Sequence, residues 1–458
     1  MKSSLTYLIV FLLCIVARLL TSVNYVEDYE TLSFFLGFQE YNFPRGTPPF
    51  PGYPILYAVV GFFTYVTGSL STSFSLVGGI STFIIIYYTS RILRISLFSL
   101  EGGLTGFLLF FNANIWLMGN KFLPDLIGMA FVMPIVYYFL IDNFRPRYVY
   151  KGWILAGLLP GVMLSFVPLI IIPSCYVLYK RKNYYLSLPL LILGISAWLL
   201  PLLLYTGIDK SLTLSWSYLN AFVRGWDFRM GSKSLMMILE AIWAEGLAGY
   251  IPSRNLLTIF TSVGNIAFIF FGVMITMSFG HNKKKLLIAL ASMFIFLLST
   301  YFLRSTENMH RHILPFIPFL TIFICYGMIY FLVNFNAMAI KVICLLYMLI
   351  YTFINLNLVS DHTQPTAIAA LKNYIFEKGE SPTKKIISYP EINSYLYYSG
   401  IHTKYETLDQ LLVTTPTNTY IILPAGYPAP SGFSKVVKKE HNPLVNRKWP
   451  ELNLYIYP

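Results

Sequence analysis

The chain has 458 residues, of which 56% are hydrophobic, 17% aromatic and only 12% charged, with a mean hydropathy of +0.62. Soluble globular chains carry roughly 25% charged residues, so this composition excludes a disordered chain, a basic nucleic-acid-binding domain and an ordinary soluble enzyme. The net charge of +13 is a topology signal before it is a binding signal.

A membrane span needs about 20 apolar residues. In chain order, spans are expected near 5–23, 73–92, 102–119, 124–141, 184–205, 257–279, 286–303, 313–332 and 340–359. The segment 152–179 has basic clusters at both ends. At 1.5 Å per residue it is roughly 42 Å long, too short for two full crossings. Pro160-Gly161 and Pro168 would break a single helix there, so two short, tilted helices meeting near Pro160–Pro168 are expected. The predicted fold is therefore an all-α polytopic membrane bundle of about 11 transmembrane helices.

The short breaks between spans hold Arg91/Arg94, Arg145/Arg147/Lys151, Lys180/Arg181/Lys182 and Lys283/Lys284/Lys285. The positive-inside rule places these clusters, with Lys2 and Lys341, on the cytoplasmic side. That puts the N-terminus inside and the C-terminus outside. The first span carries no small-residue cleavage site and holds Arg18 near its end, so it is not read as a removable signal peptide. A prokaryotic plasma membrane is favoured over an endoplasmic reticulum membrane. Cys14, Cys175, Cys325 and Cys344 all lie in apolar runs without zinc spacing.

Residues 361–458 differ in composition. Strand-like runs at 385–389, 420–423 and 452–456 alternate with helical patterns at 365–378 and 391–399. A small C-terminal α/β extracytoplasmic domain is expected at 361–458, following a transmembrane domain at 1–360 whose first outer loop is 24–72. It shows no glycine-rich nucleotide signature.

Several polar residues are not explained by the membrane. Glu27, Asp28 and Glu30 directly follow the first span, and carboxylates at a span's edge are expensive and commonly functional. On an extended backbone Asp28 and Glu30 would point the same way. They could take a proton from an attacking hydroxyl, or hold a divalent cation such as Mg²⁺ or Mn²⁺ against a phosphate. Next comes Pro44-Arg45-Gly46-Thr47-Pro48-Pro49-Phe50-Pro51-Gly52-Tyr53-Pro54, expected to be a stiff, non-helical lid. Lys121 and Asp125 occupy a turn after the third span. The stretch 304–315 holds Arg304, Glu307, His310, Arg311 and His312 and reads as a loop on the same face as Asp28. The spacing of the two histidines, with no third His or Cys, argues against zinc. Arg224, Asp227 and Arg229 lie among aromatic residues in 206–256, a mixture suited to an interfacial anchor helix or to phosphate binding. Acids and cations on one face of an apolar bundle describe a site for an anionic, partly lipidic molecule.

These features together resemble the GT-C superfamily of integral-membrane glycosyltransferases. Asp28-x-Glu30 followed by Pro48-Pro49-Phe50-Pro51-Gly52-Tyr53-Pro54 is similar to the D-x-x-E and H-P-P-G-Y-P region of the protein O-mannosyltransferase-like branch, with a shorter carboxylate spacing and with Phe50 interrupting the proline run. Glu307-Asn308-Met309-His310-Arg311-His312-Ile313-Leu314-Pro315-Phe316-Ile317-Pro318 resembles the H-x-E-x-R-F-x-x-P-x-x-P segment of dolichol-phosphate-mannose-dependent mannosyltransferases. The resemblance implies inverting transfer of a sugar, mannose or another hexose, from a polyprenyl-phosphate carrier to a hydroxyl of a protein, lipid or glycan. Asp28 would act as base, with Glu30 and Glu27 beside it. Lys121, Asp125, Arg304, Glu307, His310, Arg311, Arg224 and Arg229 would bind the donor phosphate and substrate. The implied partners are the lipid-linked donor, the acceptor and membrane lipids, with no nucleic acid. A transporter or flippase of lipid-linked sugars is the competing class, but no internal repeat supports it.

Overall fold

The structure is a computed structural model that describes residues 2–141, 146–181, 184–224, 242–243, 247, 256–279, 283–303, 309–335, 337–378, 385–408, 419–428, 431–446 and 449–457. The chain divides into two compact units. The first comprises residues 1–22 and 42–357, and the second 23–41 and 358–458. The first outer loop is thereby divided between them.

In the first unit, α1 (Lys2–Leu20), α3 (Pro54–Thr67) and α4 (Leu70–Leu93) are followed by α5 (Leu100–Phe110), α6 (Ala113–Asn120) and α7 (Asp125–Leu140). Then come α8 (Pro146–Met163), α9 (Pro168–Arg181), α10 (Tyr184–Thr206) and α11 (Ile208–Arg224). The remainder is α12 (Leu256–Phe279), α13 (Lys283–Leu303), α14 (Met309–Ile313), α15 (Ile317–Asn334) and α16 (Met338–His362). In the second unit lies α2 (Tyr29–Gln39).

Among the described residues seven helices are long and apolar enough to cross a membrane, or eight if the bent pair α5–α6 counts as one span. Four further apolar helices of 10–17 residues accompany them. These fall short of the roughly 20 residues of a full span, so the expected count of about 11 does not follow from the helices themselves. The expected pair within 152–179 is α8 and α9, separated by a 3₁₀ turn at Leu164–Phe166. Pro160 lies inside α8 rather than ending it. Helix α3 falls in the stretch 24–72 expected as loop, because its fourteen residues are too few to register as a span.

Helix packing depends on small residues where backbones meet. A Cβ on Gly327 of α15 would fall on the Phe268 carbonyl of α12, and one on Gly272 would fall on the Phe323 carbonyl. Glycine alone permits that approach. Helix α11 shows another arrangement: Ile208, Leu212, Trp216 and Leu219 form one stripe and are all exposed. An unburied apolar stripe at helical spacing is what an interfacial helix presents.

The second unit adds α17 (Ala367–Glu377), β1 (Lys385–Ser388), α18 (Pro390–Tyr398), β2 (Tyr405–Thr407), β3 (Thr419–Pro424), β4 (Ser434–Glu440) and β5 (Glu451–Tyr457). The sheet order is β2-β1-β3-β5-β4. Strand β1 pairs parallel with β2 and β3, whereas β5 pairs antiparallel with β3 and β4. Its core joins Leu371, Ile386, Ile392, Leu396, Ile422 and Leu454 to Leu32 of α2. The expected small α/β domain is present, and residues 23–41 are built into it.

Candidate functional site

The first unit holds a buried polar seam along α6 and the start of α7. Helices α5 and α6 meet at a 52° bend. Broken backbone inside a membrane requires substitute hydrogen bonds, and three side chains supply them. Asn112 caps α6 by accepting from the Ile115 N–H at 3.1 Å and donates to Tyr351 Oη at 3.0 Å. Asn355 Oδ1 accepts from the Ala113 N–H at 2.7 Å. The span expected over 102–119 is thus a bent pair, and every residue of α6 is buried.

At its far end α6 is tied to the end of α1. Trp116 Nε1 donates to Thr21 Oγ1 at 2.8 Å and Asn120 Nδ2 to the Thr21 carbonyl at 2.6 Å. One turn earlier on α1, Arg18 is completely buried. Its guanidinium lies 4.1 Å from the Trp116 ring centroid and 5.2 Å from that of Phe110. Nη2 donates to the Phe110 carbonyl at 3.4 Å, while Nε and Nη1 find no hydrogen-bond partner among the described residues. Sequence reasoning passed over Arg18 as a span-end residue. The signal that could have found it is an ionisable group inside an apolar segment.

Lys121 ends α6 and Asp125 begins α7, both buried. Arg311 reaches Asp125 from α14 across 186 positions of sequence: Nε donates to Oδ2 at 3.0 Å and Nη2 lies 2.8 Å from the same oxygen. Of the residues expected to bind the donor, the structure brings Asp125 and Arg311 into contact. Arg311 was expected at an open loop; it lies instead in a short helix and is 6% exposed. A buried charge is tolerated when paired, which accounts for that placement. Arg18, Lys121 and Arg311 thus place three cationic side chains in the buried part of the first unit.

The sequence-expected residues Arg304, Glu307 and Arg229 lie outside the described residues. Arg224 ends α11 and His310 lies in α14, without described side chains.

The acidic cluster lies in the second unit, where its three members do different things. Asp28 caps α2: Oδ1 accepts from the Thr31 N–H at 2.8 Å, and Thr31 Oγ1 accepts in return from the Asp28 N–H at 2.9 Å. This reciprocal box starts the helix at Tyr29. The expected extended run through Glu30 is therefore replaced by a helical turn, and Glu30 falls in the first turn, where a negative charge suits the helix dipole. Glu27 is buried, with Oε1 2.6 Å from His362 Nε2. Its carbonyl accepts from Thr366 Oγ1 and Asn446 Nδ2. Tyr25 donates to the His362 carbonyl, and Tyr395 to that of Val26. Burial, and after it the Asp28 and Glu27 carboxylates, push the Tyr395 phenol above its ordinary range, keeping it a donor. Among the described residues no group of three His, Cys, Asp or Glu side chains is placed to hold a metal ion.

The proline-rich loop belongs to the first unit. Apart from one 3₁₀ turn at Phe43–Arg45 it is non-helical, and it ends with Tyr53 in the left-handed region at φ 50° just before α3. A bulky residue held there marks an over-determined backbone. Phe50 stacks on Tyr218 of α11 at 4.4 Å.

No family profile matches the sequence, and no curated protein matches it. Solved structures do match in fold. The crystal structure of ArnT from Cupriavidus metallidurans bound to undecaprenyl phosphate aligns with a TM-score of 0.55 at 11% identity, over 99% of this chain and 97% of that one. The apo structure of the same protein aligns at 0.53 and 12% identity, with the same coverage. The chain thus shares the fold of ArnT, and its seven or eight long apolar helices mark it as a multi-pass integral membrane protein.

Proposed function

We propose that this chain is a glycosyltransferase that moves a sugar from a polyprenyl-phosphate carrier to an acceptor hydroxyl. The observation that carries the reading is the end-to-end likeness to a GT-C fold solved with undecaprenyl phosphate bound. The buried cations Arg18, Lys121 and Arg311 support it, because a lipid phosphate leaving group needs cations in an apolar setting. The competing flippase reading has no such support.

In this proposal the acceptor oxygen attacks the anomeric carbon as the bond from that carbon to the phosphate oxygen breaks. The phosphate departs with the electron pair, the hydroxyl proton passes to Asp28, and the anomeric centre inverts. Lys121, with Arg311 held by Asp125, stabilises the phosphate charge. Glu30 positions the base or shares a divalent cation with it. The O-mannosyltransferase-like motifs favour mannose or another hexose. The basic inter-helix clusters favour a cytoplasmic N-terminus in a prokaryotic plasma membrane.

The reading is tested by reconstituting the full chain in liposomes with undecaprenyl-phosphate hexoses and mass-analysing the lipid products. Release of free undecaprenyl phosphate together with a glycosylated acceptor is expected. Sugar-lipid that crosses the bilayer without any release would overturn the proposal in favour of a flippase.

A further inference from the structure

A polar cavity lies at the other end of the bundle helices. It has a volume of about 720 Å³, and its lining includes Tyr7, Arg91, Arg94, Ser96, Tyr137 and Lys285. Three cations line it, Arg91 and Arg94 from the end of α4 and Lys285 from α13, with no carboxylate among the described lining residues. Tyr137 and Leu140 place it at the end of α7 opposite Asp125, roughly 22 Å away at 1.5 Å per residue. It is therefore separate from the seam described above.

The cavity is built rather than incidental. Arg91 Nη2 donates to Tyr137 Oη at 3.4 Å. Arg94 closes α4 in the left-handed conformation at φ 58°, where its N–H bonds the Arg91 and Ser90 carbonyls. Glycine is the usual residue at such a helix end, since a side chain there is strained. Keeping an arginine at that position makes sense if its charge is used. Tyrosines surround the same end: Tyr7 packs on Tyr87, Tyr88 bonds Tyr138 at 3.0 Å, and Tyr138 stacks on Tyr148. Such an aromatic band sits at headgroup depth.

An apolar cavity of about 360 Å³ shares α1, α4 and the turn into α5 with the basic one, and Val10, Leu13, Leu97, Gly103 and Phe107 are among its lining residues. Val10 stands three positions from Tyr7 on α1, and Leu97 directly follows Ser96. Leu8 of α1 and Phe98 beside the turn are exposed and apolar. A basic pocket beside an apolar groove matches an amphiphile with an anionic head and a hydrocarbon tail. Basic pockets between membrane helices take lipid headgroups in this way.

We propose that this pair of cavities binds one anionic phospholipid, its phosphate against Arg91, Arg94 and Lys285 and an acyl chain in the groove. The site is independent of the transfer reaction. A free phosphate ion would share the head contacts but not the groove.

The test is native mass spectrometry of the full chain released from three kinds of nanodisc: phosphatidylcholine alone, phosphatidylcholine with phosphatidylglycerol, and phosphatidylcholine with inorganic phosphate in the buffer. One retained phosphatidylglycerol per chain is expected. The variant Arg94→Gly with Lys285→Gln should weaken retention roughly tenfold, the usual effect of losing a charge-assisted contact. Glycine suits the left-handed position, so thermal melting should hold. Lys435→Gln, on the exposed strand β4, should change nothing. Equal retention of both lipids, or unchanged retention in the double variant, would overturn the proposal. Inorganic phosphate bound with the same variant sensitivity and no lipid dependence would assign the cavity to a free anion and overturn it as well.

Discussion

His362 Nε2 stands 2.6 Å from Glu27 Oε1, joining the segment after the first span to the end of α16 across 335 positions of sequence. Both side chains are buried. This contact makes Glu27 a structural member of the second unit, although it reads in sequence as one of three equivalent carboxylates. Removing one partner of a buried hydrogen-bonded pair leaves the other short of its partner and costs about 1–3 kcal/mol. Glu27→Ala should therefore lower the melting temperature markedly, while the fraction still folded turns over normally. A variant that melts like the parent yet loses transfer a hundredfold would return Glu27 to the chemistry.

Asp125 and Arg311 form the corresponding pair in the first unit, and their variants should not behave additively. Arg311→Ala leaves a carboxylate with 0% exposure without its arginine, so stability should fall by about 3–5 kcal/mol. The double change Asp125→Leu with Arg311→Met removes both charges and should recover most of that loss. Denaturant titration in detergent gives the coupling. If Arg311→Ala alone leaves stability untouched while the donor KM rises, the arginine serves the ligand and not the pair.

The second unit shows which elements a sequence can reveal. Its three central strands, β1, β3 and β5, were legible as apolar runs. Strands β2 and β4 were not, and they are the two edges of the sheet. Strand β4 is largely exposed and carries Lys435, Lys438 and Lys439, the lysine-rich character that protects an edge from further pairing. No apolar alternation remains for pattern reading to detect. The site was legible residue by residue but not in its pairings. Asp125 and Arg311 each stand out as charges near spans, yet their contact depends on how α7 and α14 pack. Arg18 was hidden differently: the aromatic rings that cover it, Phe110 and Trp116, come from α5 and α6.

The proposed orientation rests on the basic clusters and is open to labelling. Cysteines introduced near residues 147 and 284 should resist a membrane-impermeant thiol reagent in intact cells. Cysteines near 46 and 400 should react. Labelling at 284 with protection at 400 would invert the assignment.

Asp28 offers the sharpest separation of chemistry from structure, because its side chain already has a structural task as the cap of α2. Asparagine caps a helix about as well as aspartate, so Asp28→Asn keeps the bond from the Thr31 N–H and the start of the helix. It removes only the group that accepts a proton. Transfer should fall by about 10² or more, the usual share of general-base catalysis, with melting near the parent. Asp28→Ala loses the cap as well and should cost about 1 kcal/mol in addition. Glu30→Gln should do less than Asp28→Asn if Glu30 only positions the base, and as much if the two hold a metal together. Chelation followed by Mn²⁺ or Mg²⁺ distinguishes these, since only a shared metal gives activity that is lost and then restored. A fully active Asp28→Asn protein would leave Asp28 with its cap alone and move the base elsewhere.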